Sequence, residues 1–325
     1  TFWTREGLGV RYVAPALPFV FLVFGGVVQR AVKRTPALAL LAVGLVAVPN
    51  VVGTLAWYGR PTLPPAFWDP TTLVATLDAR TAPGDAVVFV SAEQAGYYQA
   101  LSTHPRSWIL IPAGTDYLQG NVVEKAAATL PDLSARSRVI WLVLYRGVLG
   151  DGTTKLGDWL STHDFPVATQ TVPDSEIDPY VGLATDGTTE SLAQNVAYSD
   201  GVRLVDARIP VAISTNGVLP VQLRWQAAGP LDRNLKVFVH LVNPKGDVVS
   251  QHDSLPENGR APFVQWPANQ IFDDRHGLLL SSAVVPGDYW LEIGLYDEHG
   301  RLPLQNGGDT LRLGPMRVTG AGDRT

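Results

Sequence analysis

The sequence predicts a membrane α-helical hairpin, then an α/β domain with a mostly parallel sheet, then an all-β antiparallel sandwich. Two uncharged runs near the start, Tyr12–Gln29 and Ala37–Gly59, predict the hairpin. Apolar strand-like runs alternating with helix-like segments between residues 61 and 190 predict the α/β domain. Short alternating strands separated by turn signals, from about residue 197 to 320, predict the sandwich.

The hairpin rests on length and charge. As helices, the two runs would span roughly 27 and 34 Å, enough for a hydrocarbon core about 30 Å thick. Neither carries the polar stripe of a surface helix. The connector holds Arg30, Lys33 and Arg34, whereas the N-terminal flank holds Arg5 and Arg11 and the exit begins with Arg60. Short loops rich in Lys and Arg stay cytoplasmic, so residues 60–325 are expected to be extracytoplasmic on a multi-pass protein of the cell membrane. The chain begins at Thr1 and its one Met is Met316, so further helices are expected upstream.

Charge supports a division after the hairpin. Of 30 acidic residues only Glu6 precedes Asp69, against six of the 25 basic ones. The 257 residues from Asp69 onward therefore carry 19 basic and 29 acidic side chains, a net −10. That balance excludes nucleic acid and anionic lipid surfaces as partners of this part. There are no cysteines, hence no disulfides and no thiolate metal sites.

After a stiff exit with four prolines (Pro61, Pro64, Pro65, Pro70), Thr71–Arg80 reads as a helix with Leu73, Val74 and Leu77 on one face. Ala86–Val90, Trp108–Ile111, Arg138–Tyr145 and Val167–Val172 read as strands. Gln94–Leu101, Val122–Leu130 and Thr154–His163 read as helices. No G-x-G-x-x-G, phosphate-binding loop or G-x-S-x-G elbow accompanies them, so neither dinucleotide binding nor serine hydrolysis is indicated.

In the sandwich, strands are expected at Val202–Ile209, Leu219–Trp225, Leu235–Val242, Val248–Gln251, Gly277–Ser282, Tyr289–Tyr296 and Leu311–Val318. Turn signals such as Asn216-Gly217 and Pro286-Gly287-Asp288 separate several of them. Leu235, Val237, Val239 and Leu241 alternate with Lys236, Phe238, His240 and Val242.

Arg11-Tyr12-Val-Ala-Pro15-Ala-Leu-Pro18, opening a hydrophobic run, resembles the late transmembrane region of the polyprenyl-phosphate-sugar-dependent membrane glycosyltransferases. This GT-C type, glycosyltransferase family 39-like class includes the protein O-mannosyltransferases and the lipid A aminoarabinose transferase. The stretches around Pro83-Gly84-Asp85, Tyr97-Tyr98 and Arg138–Val143 resemble the C-terminal extracytoplasmic region of bacterial members. Leu223–Trp225, Lys236–Leu241, Gln251–Asp253, Pro286–Tyr289 and Gly294–Asp297 resemble a module appended to some of them. The resemblance implies transfer of a sugar from a polyprenyl-phosphate donor to an extracytoplasmic acceptor. The family's catalytic carboxylate lies in an early loop and is expected upstream of this chain. No cofactor is implied for the fragment, though the full-length enzyme could use a divalent metal. Pro267–Phe272 stands where the module carries a Gly-Glu turn.

Three groups of candidate site residues emerge. Arg11 and Tyr12 would meet the donor's lipid-linked phosphate, a bidentate match for a guanidinium. Trp225, Trp266 and Trp290 would form a glycan platform if exposed, and ordinary core tryptophans if not. Asp253, Asp274 and His276 are weak metal candidates, because their spacing matches no established loop. The expected partners are thus the polyprenyl-phosphate-linked donor, the lipid bilayer and a glycan or protein acceptor. The alternative is a membrane-tethered glycan- or protein-binding scaffold without catalysis.

Overall fold

The computed structural model describes residues 69–111, 121–145, 151–182, 189–192, 195–281 and 283–320. The chain divides into two compact units, Thr1–Phe67 and Trp68–Thr325, and every described residue belongs to the second.

The first part of this unit opens with α1 (Pro70–Arg80), β1 (Ala86–Phe89), α2 (Ala92–Leu101) and β2 (Ser107–Leu110). There follow α3 (Asn121–Arg136), β3 (Val139–Tyr145), α4 (Asp151–His163), β4 (Phe165–Pro166), β5 (Gln170–Val172) and β6 (Ser175–Val181). Asp69 caps α1 by accepting from the Thr71 and Thr72 amides, and Pro70 sits at the first turn, where its missing N–H costs nothing. Helix α3 runs through Pro131 because Leu130 and Leu133 are both buried; their packing outweighs the lost backbone bond. Strands β1 and β3 are buried almost throughout, and their side chains meet those of α3 and α4 in one core.

The sheet runs β2-β1-β3-β6-β4, with β5 also on β6. Strand β1 is parallel to β2 and β3, but β6 is antiparallel to β3, β4 and β5. The expected mostly parallel sheet is therefore corrected to a mixed one. The cause is β6, whose sequence Ser-Glu-Ile-Asp-Pro-Tyr-Val hides a strand behind two acids and a proline. It pairs along all of β3, from Val139↔Val181 to Tyr145↔Ser175.

The second part is all β: β7 (Thr189–Leu192), β8 (Val196–Ala197), β9 (Val202–Pro210), β10 (Ala212–Ser214) and β11 (Val218–Ala227), then β12 (Lys236–Val242) and β13 (Val248–Ser254). It ends with β14 (Ile271–Leu279), β15 (Gly287–Asp297), β16 (Gly300–Arg301) and β17 (Leu311–Thr319). One sheet runs β14-β11-β9-β7 with β8 on β9; the other runs β10-β17-β15-β12-β13 with β16 on β15. Their inner faces share a single core that includes Trp225, Leu223, Val239, Phe263 and Ile293.

The two parts meet directly. Arg138 Nη1 donates to the Asn216 carbonyl at 3.2 Å, and Arg260 Nε lies 3.2 Å from Asp158. Gly277 packs so closely against Phe165 that a Cβ there would sit 2.6 Å from the Phe165 carbonyl oxygen.

The membrane expectation is also corrected. Among the described residues no helix is long and apolar enough to cross a membrane, and strands far outnumber the four helices. On this finding the reading as a multi-pass membrane protein with transmembrane helices is withdrawn. The runs 12–29 and 37–59, together with Arg11 and Tyr12, lie outside the described residues.

Candidate functional site: a polar groove on the outer sheet face

Alternation along β12 turns Val237, Val239 and Leu241 into the core and leaves Phe238 and His240 on the opposite face. Cross-strand register then assembles a site. Phe238 stands opposite Asp253 on β13 and Gly294 on β15, and Lys236 opposite Tyr296. Tyr296 is in turn opposite Arg301 on β16.

Asp253 is the hub. His240 Nε2 lies 2.9 Å from its Oδ1, and the Tyr296 hydroxyl donates to its Oδ2 at 3.2 Å. With the Asp253 oxygen accepting, the His240 proton that faces it is on Nε2; this assignment follows from the hydrogen-bond network. Burial, and next the Asp253 charge, push the Tyr296 phenol above its ordinary range, so it remains a donor at neutral pH. Beside them Arg301 Cζ sits 4.5 Å from the centre of the Phe238 ring, a cation–π contact. The Arg301 guanidinium is steadied by a 3.0 Å bond to Thr310 Oγ1. Gly294 makes room: a Cβ at that position would lie 2.4 Å from the Phe238 ring. These side chains enclose an open cavity of about 260 Å³.

The residues singled out from sequence separate. Trp225 is fully buried, 5.7 Å from Tyr198 by ring centroids, and its indole N–H has no partner among the described residues. Trp266 is buried against Phe272 at 4.2 Å and donates to the Ala261 carbonyl at 2.6 Å. Trp290 lies half-buried on the other sheet, beneath the Arg312 guanidinium at 4.7 Å. The three indoles share no face and form no platform. Asp274 and His276 are paired at 2.9 Å in the interior, beyond reach of solvent, whereas Asp253 serves the groove. Among the described residues only Asp297, Glu298 and His299 gather ligand-type atoms, in an exposed turn where Arg233 already claims Asp297 at 2.9 Å.

No family model matches the chain, and no curated protein matches it. Among solved structures, the C-terminal domain of Wzt is similar at 14% identity, covering 41% of this chain and 80% of that one, with a TM-score of 0.29. A CARDB domain from Pyrococcus furiosus, in complex with di-metal ions, is similar at 11% identity over 41% of this chain and all of its own, with a TM-score of 0.25. A Niemann-Pick type C2 protein from the Japanese carpenter ant gives 9% identity, 41% and 98% coverage, and a TM-score of 0.23. Likenesses at this level carry no argument about fold or function.

The chemistry of the groove must therefore speak for itself. It offers a fixed carboxylate, an imidazole, a phenol and a guanidinium around one aromatic ring. Among the described residues Asp253 is the one carboxylate that lines it.

The signal for this site was present in the sequence. A phenylalanine and a histidine on the polar phase of a strand are out of place on an ordinary solvated face. Their partners lie 13 to 63 residues further along, and only the strand register brings them together.

Proposed function

We propose that the sandwich is a saccharide-binding module and that the groove around Asp253 is its combining site. The carrying observation is the sharing of Asp253 between His240 and Tyr296, beside a ring capped by Arg301. Alternating donors and acceptors of this kind suit the vicinal hydroxyls of a pyranose, and a pocket with a few fixed polar groups on an apolar wall is the usual form of a small-ligand site. The reading also agrees with the net −10 from Asp69 onward, which disfavours nucleic acid.

The resemblance to polyprenyl-phosphate-dependent transferases extends this proposal. If the chain serves sugar transfer, the groove would hold the acceptor or product glycan. The donor contacts Arg11 and Tyr12 and the catalytic carboxylate would then lie outside the described residues.

The test is a glycan array probed with the full chain and with Asp253→Ala. A defined set of glycans retained by the parent and lost by the variant is the expected result. Retention of no glycan, or equal retention by both proteins, would overturn the reading.

A further inference from the structure

A second cavity, of about 470 Å³, lies where the α/β part meets the sandwich. One wall is the end of α1 and the residues after it, including Arg80 and Thr81. Arg138, just before β3, and Trp141 of β3 also line it, and the sandwich contributes Asn216 and Ser281. Among the described residues no acidic side chain lines it.

Arg138 is held in place from behind. Its Nε and Nη2 donate to the two oxygens of Asp85 at 2.8 and 2.9 Å, and its Nη1 to the Asn216 carbonyl at 3.2 Å. A guanidinium carries five N–H donors, so two remain. Asp85 is fixed in turn by the Trp141 indole N–H at 3.0 Å and donors from the Ala82 amide at 2.8 Å. An arginine clamped by a buried carboxylate, with donors to spare, loses little freedom on binding an anion.

Arg80 is exposed and, among the described residues, has no ion-pair partner. The carbonyl end of α1, which would repel an anion, is partly covered: Arg106 Nη2 donates to the Thr81 carbonyl at 3.2 Å and its Nε to Thr81 Oγ1 at 3.3 Å. Arg80 and Arg138 line the cleft and Arg106 is bonded to its wall residue Thr81, while the Asp85 carboxylate offsets one of these charges, in a region whose formal charge is −10. Such a local reversal focuses field on the cleft and draws small anions to it. The hydroxyl of Ser281 adds a neutral donor on the far wall.

We propose that this cleft binds a small molecule through an oxyanion, a phosphate or a carboxylate, with Arg80 and the free N–H groups of Arg138 as its ligands. The site is separate from the groove around Asp253 and shares no residue with it.

The test is calorimetric titration of the full chain with sodium phosphate and, separately, with sodium acetate, at constant ionic strength set with chloride. Arg80→Glu, Arg80→Lys and Asp253→Asn are measured alongside. Saturable binding of one or both anions is expected, and which anion binds tells the phosphate source from the carboxylate source. Charge-assisted hydrogen bonds are worth roughly one to two powers of ten in affinity, so Arg80→Glu should weaken binding at least about tenfold and Arg80→Lys less. Asp253→Asn should leave it unchanged. Absence of binding by both anions, equal binding by Arg80→Glu, or loss in Asp253→Asn would each overturn the assignment.

Discussion

His276 Nδ1 lies 3.0 Å from His252 Nδ1, both rings being buried, and His276 Nε2 lies 2.9 Å from Asp274 Oδ2. Asp274 also accepts from the Glu257 amide at 2.8 Å. This polar thread joins β14 of one sheet to β13 of the other inside the protein. His276 thus bridges Asp274 on its own strand and His252 on the facing sheet.

Burial, and after it the neighbouring His276, push His252 well below the usual imidazole range. The folded value is then lower than the unfolded one. No stability is at stake well above pH 6.5; below it the unfolded chain gains a proton that the folded one refuses. Unfolding free energy should fall by up to about 1.4 kcal/mol for each pH unit below 6.5 on account of this group. His252→Asn, which keeps a donor near the Nδ1 position, should remove that slope. Urea titrations at pH 7 and pH 5 check it: an undiminished slope in the variant would place the acid sensitivity elsewhere.

Asp164 acts in the opposite sense. It follows the end of α4 and is held by the hydroxyl of Ser134, in the last turn of α3, so its carboxylate faces the negative ends of two helices. Its Oδ2 is buried and has no hydrogen-bond partner among the described residues. Burial raises it to about 6, countered only in part by the Ser134 bond and the charges of His163 and Arg275. A carboxyl whose folded value lies above its unfolded one costs stability at neutral pH. The cost is relieved as pH falls through about 6 and is gone below about 3.8. Asp164→Asn should therefore stabilise the protein by roughly 2 to 3 kcal/mol at pH 7.5, with the gain absent at pH 3.5. Thermal unfolding at the two pH values measures it.

These two groups show what the sequence could and could not disclose. Asp274 and His276, two apart on one strand, stand out as a polar pair, but their partner His252 arrives from another sheet. Strands such as Val139–Tyr145 declare themselves because a strand buried on both faces is apolar throughout. Ser175–Val181 does not, because Glu176, Asp178 and Pro179 mask its buried Ile177 and Tyr180, and with it the antiparallel half of the first sheet. Residues 271–276 were legible only as a polar stretch. Paired with β11 from Val218↔Leu279 to Gln226↔Ile271, they form a strand whose inner polar groups satisfy one another. The three tryptophans were ambiguous because an indole suits a core and a sugar platform equally well until burial is known.

The junction between the two parts depends on Gly277. A Cβ there would lie 2.6 Å from the Phe165 carbonyl oxygen, 2.8 Å from a Val167 methyl and 2.9 Å from a Val181 methyl. The backbone must yield, so Gly277→Ala should cost about 1–3 kcal/mol. Hydrogen exchange locates the damage: the Val167 amide, bonded to the Pro179 carbonyl at 2.9 Å, should exchange faster, while amides between β12 and β15 keep their protection. A uniform change across both parts would contradict this local account.

The groove has its own glycine control. Gly294 lies under Phe238, and a Cβ would meet two ring atoms at 2.4 Å and the Asp309 carbonyl oxygen at 2.9 Å. Gly294→Ala should lift the ring, unseat Arg301 and lower saccharide affinity by roughly tenfold, with a stability loss of about 1–3 kcal/mol. Asp253→Asn separates the two effects. It keeps the shape but replaces one carboxylate oxygen by a donor, which opposes whichever of His240 or Tyr296 it faces. Affinity should fall at least as far as in Gly294→Ala while the ring stays seated. Calorimetry with a glycan found on the array, read beside the unfolding midpoint of each variant, decides the point. If binding tracks stability across both variants, the groove is a structural feature; if Asp253→Asn loses binding at near-parent stability, the carboxylate is a ligand contact.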